Sequence, residues 1–338
     1  MDKRTVLITG GAGYIGSHIA YLCALSGYQV IVLDSFVHNN YFAPSWATVI
    51  KSDYANAHVL DSIFSLHKID AVIHCAAFIE VGESVRDPLA FYDNNVTKTV
   101  TLLQKMMQWG VHNFIFSSSC AVYGQPHYLP LTESHPQQPM SPYGHTKAMI
   151  EKIVEDVAQA HGLRFIALRY FNAAGAFPEQ GLGELHTNET HLIPLMLDAL
   201  LMRKPFTIFG IDYQTKDGTA IRDFVHVRDI AHAHLLALEH LHQGNPSDCF
   251  NLGTGVGYSI KEVVEMMQRI SGIMLKTIVA PRRLGDPALL IADPQKAFMI
   301  LKWKPHYSQL EFILKSALIF HKELLHKKEM YYSSATAF

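Results

Sequence analysis

The stretch LITGGAGYIGSH, residues 7–18, constrains the fold more than any other part of the chain. An apolar run, TVLIT (5–9), ends in Gly10, Gly11, Gly13 and Gly16, and a helix-compatible segment opens at Tyr14 and Ile15. The spacing satisfies G-x-G-x-x-G. Such glycines permit a tight strand-to-helix turn and bring backbone N–H groups close to a pyrophosphate. A glycine motif alone is weak, but a second apolar run, QVIVLD, ends in Asp34, about 20 residues further on. A carboxylate there can hold ribose hydroxyls and repels a 2′-phosphate, so NAD is expected rather than NADP.

The first half continues the same alternation. ATVIKSD (47–53), AVIHCAA (71–77), FIFSSS (114–119) and RFIALRYF (164–171) read as strands, separated by helical spacing such as Val96, Val100, Leu103 and Met107. This pattern predicts a Rossmann-type doubly wound parallel sheet in an α/β fold, with its ligand at the carboxyl ends of the strands. Residues 173–191 read as loop. A helix follows over 191–203, then a hairpin-like stretch over 206–227 and a helix from about 228. CFNLGTG (249–255) reads as one more buried strand, and Ser259 with Glu262 forms a capping box. The expected organisation is an NAD-binding domain over 1–176, joined by a later segment near 226–255. A smaller C-terminal α/β substrate domain covers most of 177–330, and 331–338 is a loose tail.

With 49% hydrophobic and 17% charged residues, the chain has material for a sizeable core. Its formal net charge of −2 leaves no electrostatic footprint for nucleic acid or an anionic membrane. No apolar stretch approaches the ~20 residues of a membrane span, and the N-terminal run is too short for a signal peptide. Cys23, Cys75, Cys120 and Cys249 are widely spaced, as expected of reduced thiols in a cytoplasmic protein. The densest histidine group, His226 to His242, puts His232 and His234 on different helical faces, as it does His240 and His242, so no metal site is expected.

SPYGHTK (141–147) supplies chemistry. Ser141 suits an N-cap and Pro142 the first helical position, which makes Tyr143 and Lys147 neighbours at i and i+4. An ordinary surface pair has the same spacing. Beside a nucleotide site, however, a cation ~6 Å from the phenol at an effective dielectric of ~20 favours phenolate by roughly 3 kcal/mol, about two pK units. Lys147 and an oxidised nicotinamide together are expected to bring Tyr143 towards neutrality, where it can act as a base. Ser119, just past the fifth strand at its carboxyl edge, can hydrogen-bond the reacting oxygen. Ser117 and Ser118 fit simple turn chemistry.

GGAGYIGSH, VGESV, FYDNNV, SSSCAVYG, SPYGHTK, RYFNAAGA, DGTAIRDFVHV, NLGTG and RRLGDPALLIADP occur in order over nearly the whole chain. In these the chain resembles the extended short-chain dehydrogenase/reductases, and most closely the UDP-glucose (UDP-galactose) 4-epimerase family. The resemblance implies interconversion of the two UDP-hexoses through a 4-keto sugar, with NAD as cofactor, in a cytoplasmic homodimer. It makes Tyr143 the base, Lys147 the holder of the nicotinamide ribose and Ser119 a contact of the sugar hydroxyl. NAD would meet the loop from Gly10 to Gly16 together with Asp34, Asp53, Tyr54, Asn94 and Phe171. The UDP-sugar would meet Asn172, His191, Leu192, Thr207, Ile208, Phe209, Arg222, Arg283 and Asp286. Leu290, four residues past Asp286, would line the sugar pocket where a tyrosine restricts N-acetyl sugars.

Two positions depart from the family pattern. Ile79 replaces a frequent lysine near the NAD phosphates, and Thr190 with His191 replaces a pair of asparagines. Cys120 and Ala121 offer no acid after Ser119, which disfavours the related dehydratases and decarboxylases. A 4-epimerase of another UDP-sugar (UDP-N-acetylglucosamine, UDP-xylose or UDP-glucuronate) and a non-catalytic NAD-sensing regulator stay open as alternatives.

Overall fold

The computed structural model describes residues 3–37, 44–186, 189–283 and 285–335, with 327–335 described by backbone alone. The first part runs β1 (Thr5–Thr9), α1 (Tyr14–Leu25), β2 (Gln29–Asp34), β3 (Thr48–Lys51), α2 (Ala57–Leu66) and β4 (Ile69–His74). It goes on through α3 (Val81–Arg86), α4 (Pro88–Phe91), α5 (Lys98–Gln108), β5 (Asn113–Ser119), α6 (Pro142–His161) and β6 (Arg164–Tyr170). The second part holds β7 (Asn172–Ala174), α7 (Leu192–Leu201), β8 (Phe206–Phe209), β9 (Ile221–His226), α8 (Val227–His242) and β10 (Asp248–Leu252). It ends with β11 (Gly257–Ser259), α9 (Ile260–Ser271), β12 (Thr277–Ala280), β13 (Leu289–Leu290) and α10 (Leu310–Ala335).

Seven strands form one parallel sheet in the order β10-β6-β5-β4-β1-β2-β3. Period-two alternation divides its side chains between two faces. Val6, Ile8 and Val32 pack against Ile19, Cys23, Ile230 and Leu238 of α1 and α8. Leu7, Ile31 and Leu33 share the opposite core with Leu60, Leu102, Ile150 and Val154 of α2, α5 and α6. Burial on both faces is why β1 and β5 contain no exposed residue. The chain order reverses between β1 and β4, and the crevice opens there, at the carboxyl ends of the strands.

The late apolar run does return to this sheet: β10 pairs with β6, and α8 covers it beside α1. Beyond it, β11-β9-β13 with β7 against β9 form a smaller sheet, while β8 and β12 make a parallel pair. The helices α7, α9 and α10 close over these strands around Met196, Phe224, Met267 and Leu314. The hairpin read over 206–227 does not form. The connection folds on itself instead, with Tyr213 N–H donating to Gly218 O at 2.9 Å, so β8 takes β12 as its partner and β9 takes β7, β11 and β13.

Capping follows the sequence. Ser141 Oγ accepts from Gly144 N–H at the start of α6, and Ser259 and Glu262 cap α9 reciprocally. At the chain end, α10 runs to Ala335, into the segment read as a loose tail, and 336–338 lie outside the described residues. A helix anchored by Leu310, Ile313, Leu314 and Leu318 propagates readily through the good helix formers that follow. Among the described residues no helix is long and apolar enough to cross a membrane.

Candidate active site

A cleft of about 440 Å³ lies over the switch point. Its floor is the glycine turn. Gly10 has φ +68°, and a Cβ there would lie 2.5 Å from the backbone nitrogen of Ala76. A Cβ on Gly16 would lie 2.1 Å from Gly10 O, so the helix can sit this close to the strand only without one. Gly11 faces away from the cleft, against the Val32 side chain, and serves packing. Gly13 is the N-cap of α1 and no side chain caps the helix, so its start lies open at the cleft beside Tyr14 and Ile15. A phosphate-sized anion fits this uncapped N-terminus.

Asp34, at the carboxyl end of β2, accepts from Ala12 N–H at 3.0 Å and Phe36 N–H at 2.8 Å. Asp53 accepts from Lys98 Nζ at 2.6 Å, and the Tyr54 hydroxyl donates to Asn94 O. Asn94 lies in a π-helical turn, Tyr92–Thr97, that leads into α5. Such single π turns re-aim side chains and recur at functional sites. Asp34, Asp53, Tyr54, Asn94 and Phe171 all line the cleft. Open helix N-terminus, glycine cradle and terminal carboxylate together fit an adenine dinucleotide.

Ser119, Tyr143 and Lys147 meet at the cleft's inner wall. The Lys147 ammonium donates to Ser117 O at 2.7 Å and sits 4.8 Å from the Phe116 ring centre and 5.8 Å from that of Tyr143. Burial lowers the Lys147 pKa to about 8, against opposing pulls from Cys75 and Glu151. Without a nicotinamide, the chain's own groups do not bring Tyr143 towards neutrality. Burial pushes the phenol well above its ordinary value, a hydrogen bond with Ser119 pulls it back, and Cys120 and Glu80 push it up again. A dry pocket penalises phenolate more than one ammonium stabilises it.

Ser117 and Ser118 are not turn residues. They lie inside β5, where Ser117 Oγ meets His234 Nε2 at 3.0 Å and Ser118 donates to Glu151. Glu151 in turn holds Arg169 in a buried ion pair. This network fixes the strand that carries Ser119 and Lys147's acceptor.

The remaining predicted residues divide. Asn172, His191, Leu192, Arg222, Asp286 and Leu290 line the cleft, whereas Thr207, Ile208, Phe209 and Arg283 do not. Ile208 is buried in the core beneath α7, α9 and α10, and the Arg283 guanidinium lies 4.3 Å from the Phe209 ring centre. Arg222 is engaged by Asp286 and by the carbonyls of Ile221 and Pro287, at 2.7 and 2.8 Å. The Asn172 Oδ1 is buried and has no hydrogen-bond partner among the described residues, an acceptor left for a ligand. Ile79 also lines the cleft, an apolar group beside the glycine cradle.

Glu80, Tyr170, Glu184 and His186 line the same cleft, and no sequence reasoning singled them out. Glu184 and His186 belong to a group with Glu189 and His191. Within it burial opposes the imidazolium form of His191, but Glu184, Glu189 and Glu80 outweigh it and raise the pKa to about 9.

A family model described as "NAD dependent epimerase/dehydratase family" matches residues 6–253. The UDP-glucose 4-epimerase of Halalkalibacterium halodurans is 49% identical over 322 residues, spanning 95% of this chain and 96% of that protein. The crystal structure of UDP-glucose 4-epimerase from Brucella ovis in complex with NAD is 44% identical with a TM-score of 0.90, covering 93% of this chain and 97% of that one. The UDP-Glc/GlcNAc 4-epimerase of Campylobacter jejuni is 40% identical with a TM-score of 0.82, covering 95% and 99%. The glycine turn, the terminal carboxylate and the Ser119–Tyr143–Lys147 wall are thus set in a shared frame, and the chain belongs to the NAD dependent epimerase/dehydratase family.

Proposed function

We propose that this protein is a UDP-glucose 4-epimerase that interconverts UDP-glucose and UDP-galactose with NAD as cofactor. The observation that carries the reading is one continuous cleft, in which the uncapped α1 N-terminus and Asp34 lead to Ser119, Tyr143 and Lys147 and on to Asn172 and Leu290. Its near relatives of the same name match it over almost their full length. Residues 1–176 with 226–255 hold NAD through the loop from Gly10 to Gly16, Asp34, Asp53, Tyr54, Asn94 and Phe171. The part formed mainly by 177–330 holds the UDP-hexose.

Bound NAD supplies an acceptor that takes hydride from C4 of the sugar and gives it back, with a positive ring in its oxidised form. The chain's part is to orient and to move a proton. Tyr143 takes the proton of the sugar 4-hydroxyl and later returns it, while Ser119 holds the same oxygen by hydrogen bonding. Lys147 anchors the nicotinamide ribose and adds a positive charge behind the phenol. Because the protein groups alone leave the phenol protonated, ionisation is coupled to the loaded, oxidised site. The 4-keto sugar turns within the cleft, so the sugar half needs fewer fixed contacts than the diphosphate half. Arg222, Asp286, Asn172, His191 and Leu192 form the sugar-nucleotide side. Cytoplasmic location and a homodimer complete the reading.

A second reading, a 4-epimerase that also accepts UDP-N-acetylglucosamine, is favoured by Leu290, which leaves that wall apolar and without a phenol. The test is to incubate purified protein with a panel of UDP-sugars and identify products by NMR. Interconversion of the plain hexoses is expected, and its absence beside turnover of another sugar would reassign the substrate. Tyr143→Phe should lower kcat at least ~100-fold while bound nucleotide is retained. Undiminished turnover in that variant would remove Tyr143 as the base.

A further inference from the structure

The loop between β7 and α7 carries Glu-x-His twice, at Glu184–His186 and Glu189–His191. A turn at Pro178–Gln180 and a bridge between Phe177 and Leu182 close the loop's first half, before the first repeat. One ligand atom from each of the four residues lies within 4.8 Å of the others. His186 Nδ1 is 3.2 Å from Glu189 Oε2 and 3.6 Å from Glu184 Oε1, and His191 Nδ1 is 3.9 Å from Glu189 Oε1 and in contact with Glu184. Zinc bonds of about 2.0–2.2 Å in a tetrahedron separate the donor atoms by roughly 3.3 Å, which these spacings bracket.

Three of the four side chains are nearly buried, at 7%, 12% and 12% exposure for Glu184, His186 and Glu189. Among the described residues, every ion pair of the two glutamates is to these two histidines, so no lysine or arginine compensates the paired carboxylates. Two imidazole nitrogens and two carboxylate oxygens suit zinc and its neighbours, whereas magnesium and calcium favour oxygen alone. The site is also tied to the frame. Glu189 accepts from the N–H groups of Thr190 and His191 at 2.8 Å each, which joins it to the start of α7. Glu184, His186 and His191 face the cleft.

We propose that Glu184, His186, Glu189 and His191 bind one zinc-type divalent cation, which fastens the β7–α7 loop as a wall of the substrate cleft. The ion bridges two short repeats whose side chains already meet, His186 with Glu189 and His191 with Glu184. This site does not depend on which sugar the cleft accepts.

The test uses the full chain, stripped by chelator and titrated with cobalt(II) in mildly alkaline buffer, followed by zinc in competition. A saturable one-to-one visible spectrum of four-coordinate cobalt is expected, without a thiolate charge-transfer band, and zinc should displace it. His186→Gln and Glu189→Gln should each weaken binding at least ~10-fold, with folding checked by circular dichroism. If one variant does not fold, the other variant and the wild-type spectrum decide. Absence of saturable binding in the wild type, a thiolate band, or unchanged affinity in the folded variants would overturn the assignment.

Discussion

Lys147→Met should make the protein more stable near neutrality and less stable in alkali. Lys147 is 2% exposed, and its pKa falls from 10.5 to about 8 on burial. At about 1.4 kcal/mol for each tenfold change, holding the charged ammonium there costs roughly 3 kcal/mol. Methionine matches the side chain in volume and carries no charge. It also loses the donation to Ser117 O, a bond worth about 1 kcal/mol net. The variant should therefore gain about 2 kcal/mol at pH values below about 8. Because the folded pKa is depressed, the native state binds fewer protons than the unfolded state between about 8 and 10.5, so wild-type stability rises through that window. Above it the lysine is neutral in both states, only the lost hydrogen bond remains, and the variant should be the weaker by about 1 kcal/mol. Urea unfolding of both proteins, freed of nucleotide, near neutrality and in alkali measures the difference. A variant weaker than wild type near neutrality, or a difference that does not change with pH, would refute the reasoning. The residue is then a case of stability given up for a charge behind the phenol.

Gly16→Ala forces a Cβ to within 2.1 Å of Gly10 O, so the protein should fold poorly or release little dinucleotide on denaturation, as absorbance of the extract would show. His18, His74, His226 and His234 are buried and neutral, with pKa values lowered by burial to about 4, 3, 3 and 4. The unfolded state binds more protons than the native state as pH falls from about 6.5, so stability should decline towards pH 3, and His74→Gln should flatten that decline in urea titrations. Leu290→Tyr should slow turnover of UDP-N-acetylglucosamine relative to the plain hexoses by roughly 10–200-fold, a difference of ~1–3 kcal/mol in discrimination. An unchanged ratio of the two activities would remove Leu290 as the gate.

What the chain discloses on reading is local and periodic. The parallel sheet follows from short apolar runs, and the glycine turn, the Ser141 cap and the Tyr143–Lys147 pair each lie within one turn or motif. Partners far apart in the chain were hidden. Arg222 meets Asp286 across the fold, and β8 finds β12 rather than β9, because pairing depends on tertiary burial and not on spacing. The Glu184 to His191 repeat looked like polar loop, since the convergence of its four side chains is not set by their spacing in the chain. The depth of the Tyr143 pocket, which raises the phenol, was not legible either, because a sequence shows the neighbouring ammonium but not the burial around it.

The outer strand β10 sets an order of assembly during synthesis. A ribosome releases β1 to β6 long before Asp248–Leu252, so β6 waits as an open edge while the intervening segment emerges. Until α8 and β10 arrive, one face of α1 has no cover. Severing the polypeptide after residue 176 would therefore give two fragments, each with an unsatisfied strand edge or unsheathed helix, rather than two working halves. The cleft, lined by residues from both sides of that cut, is complete only after the last of them has emerged.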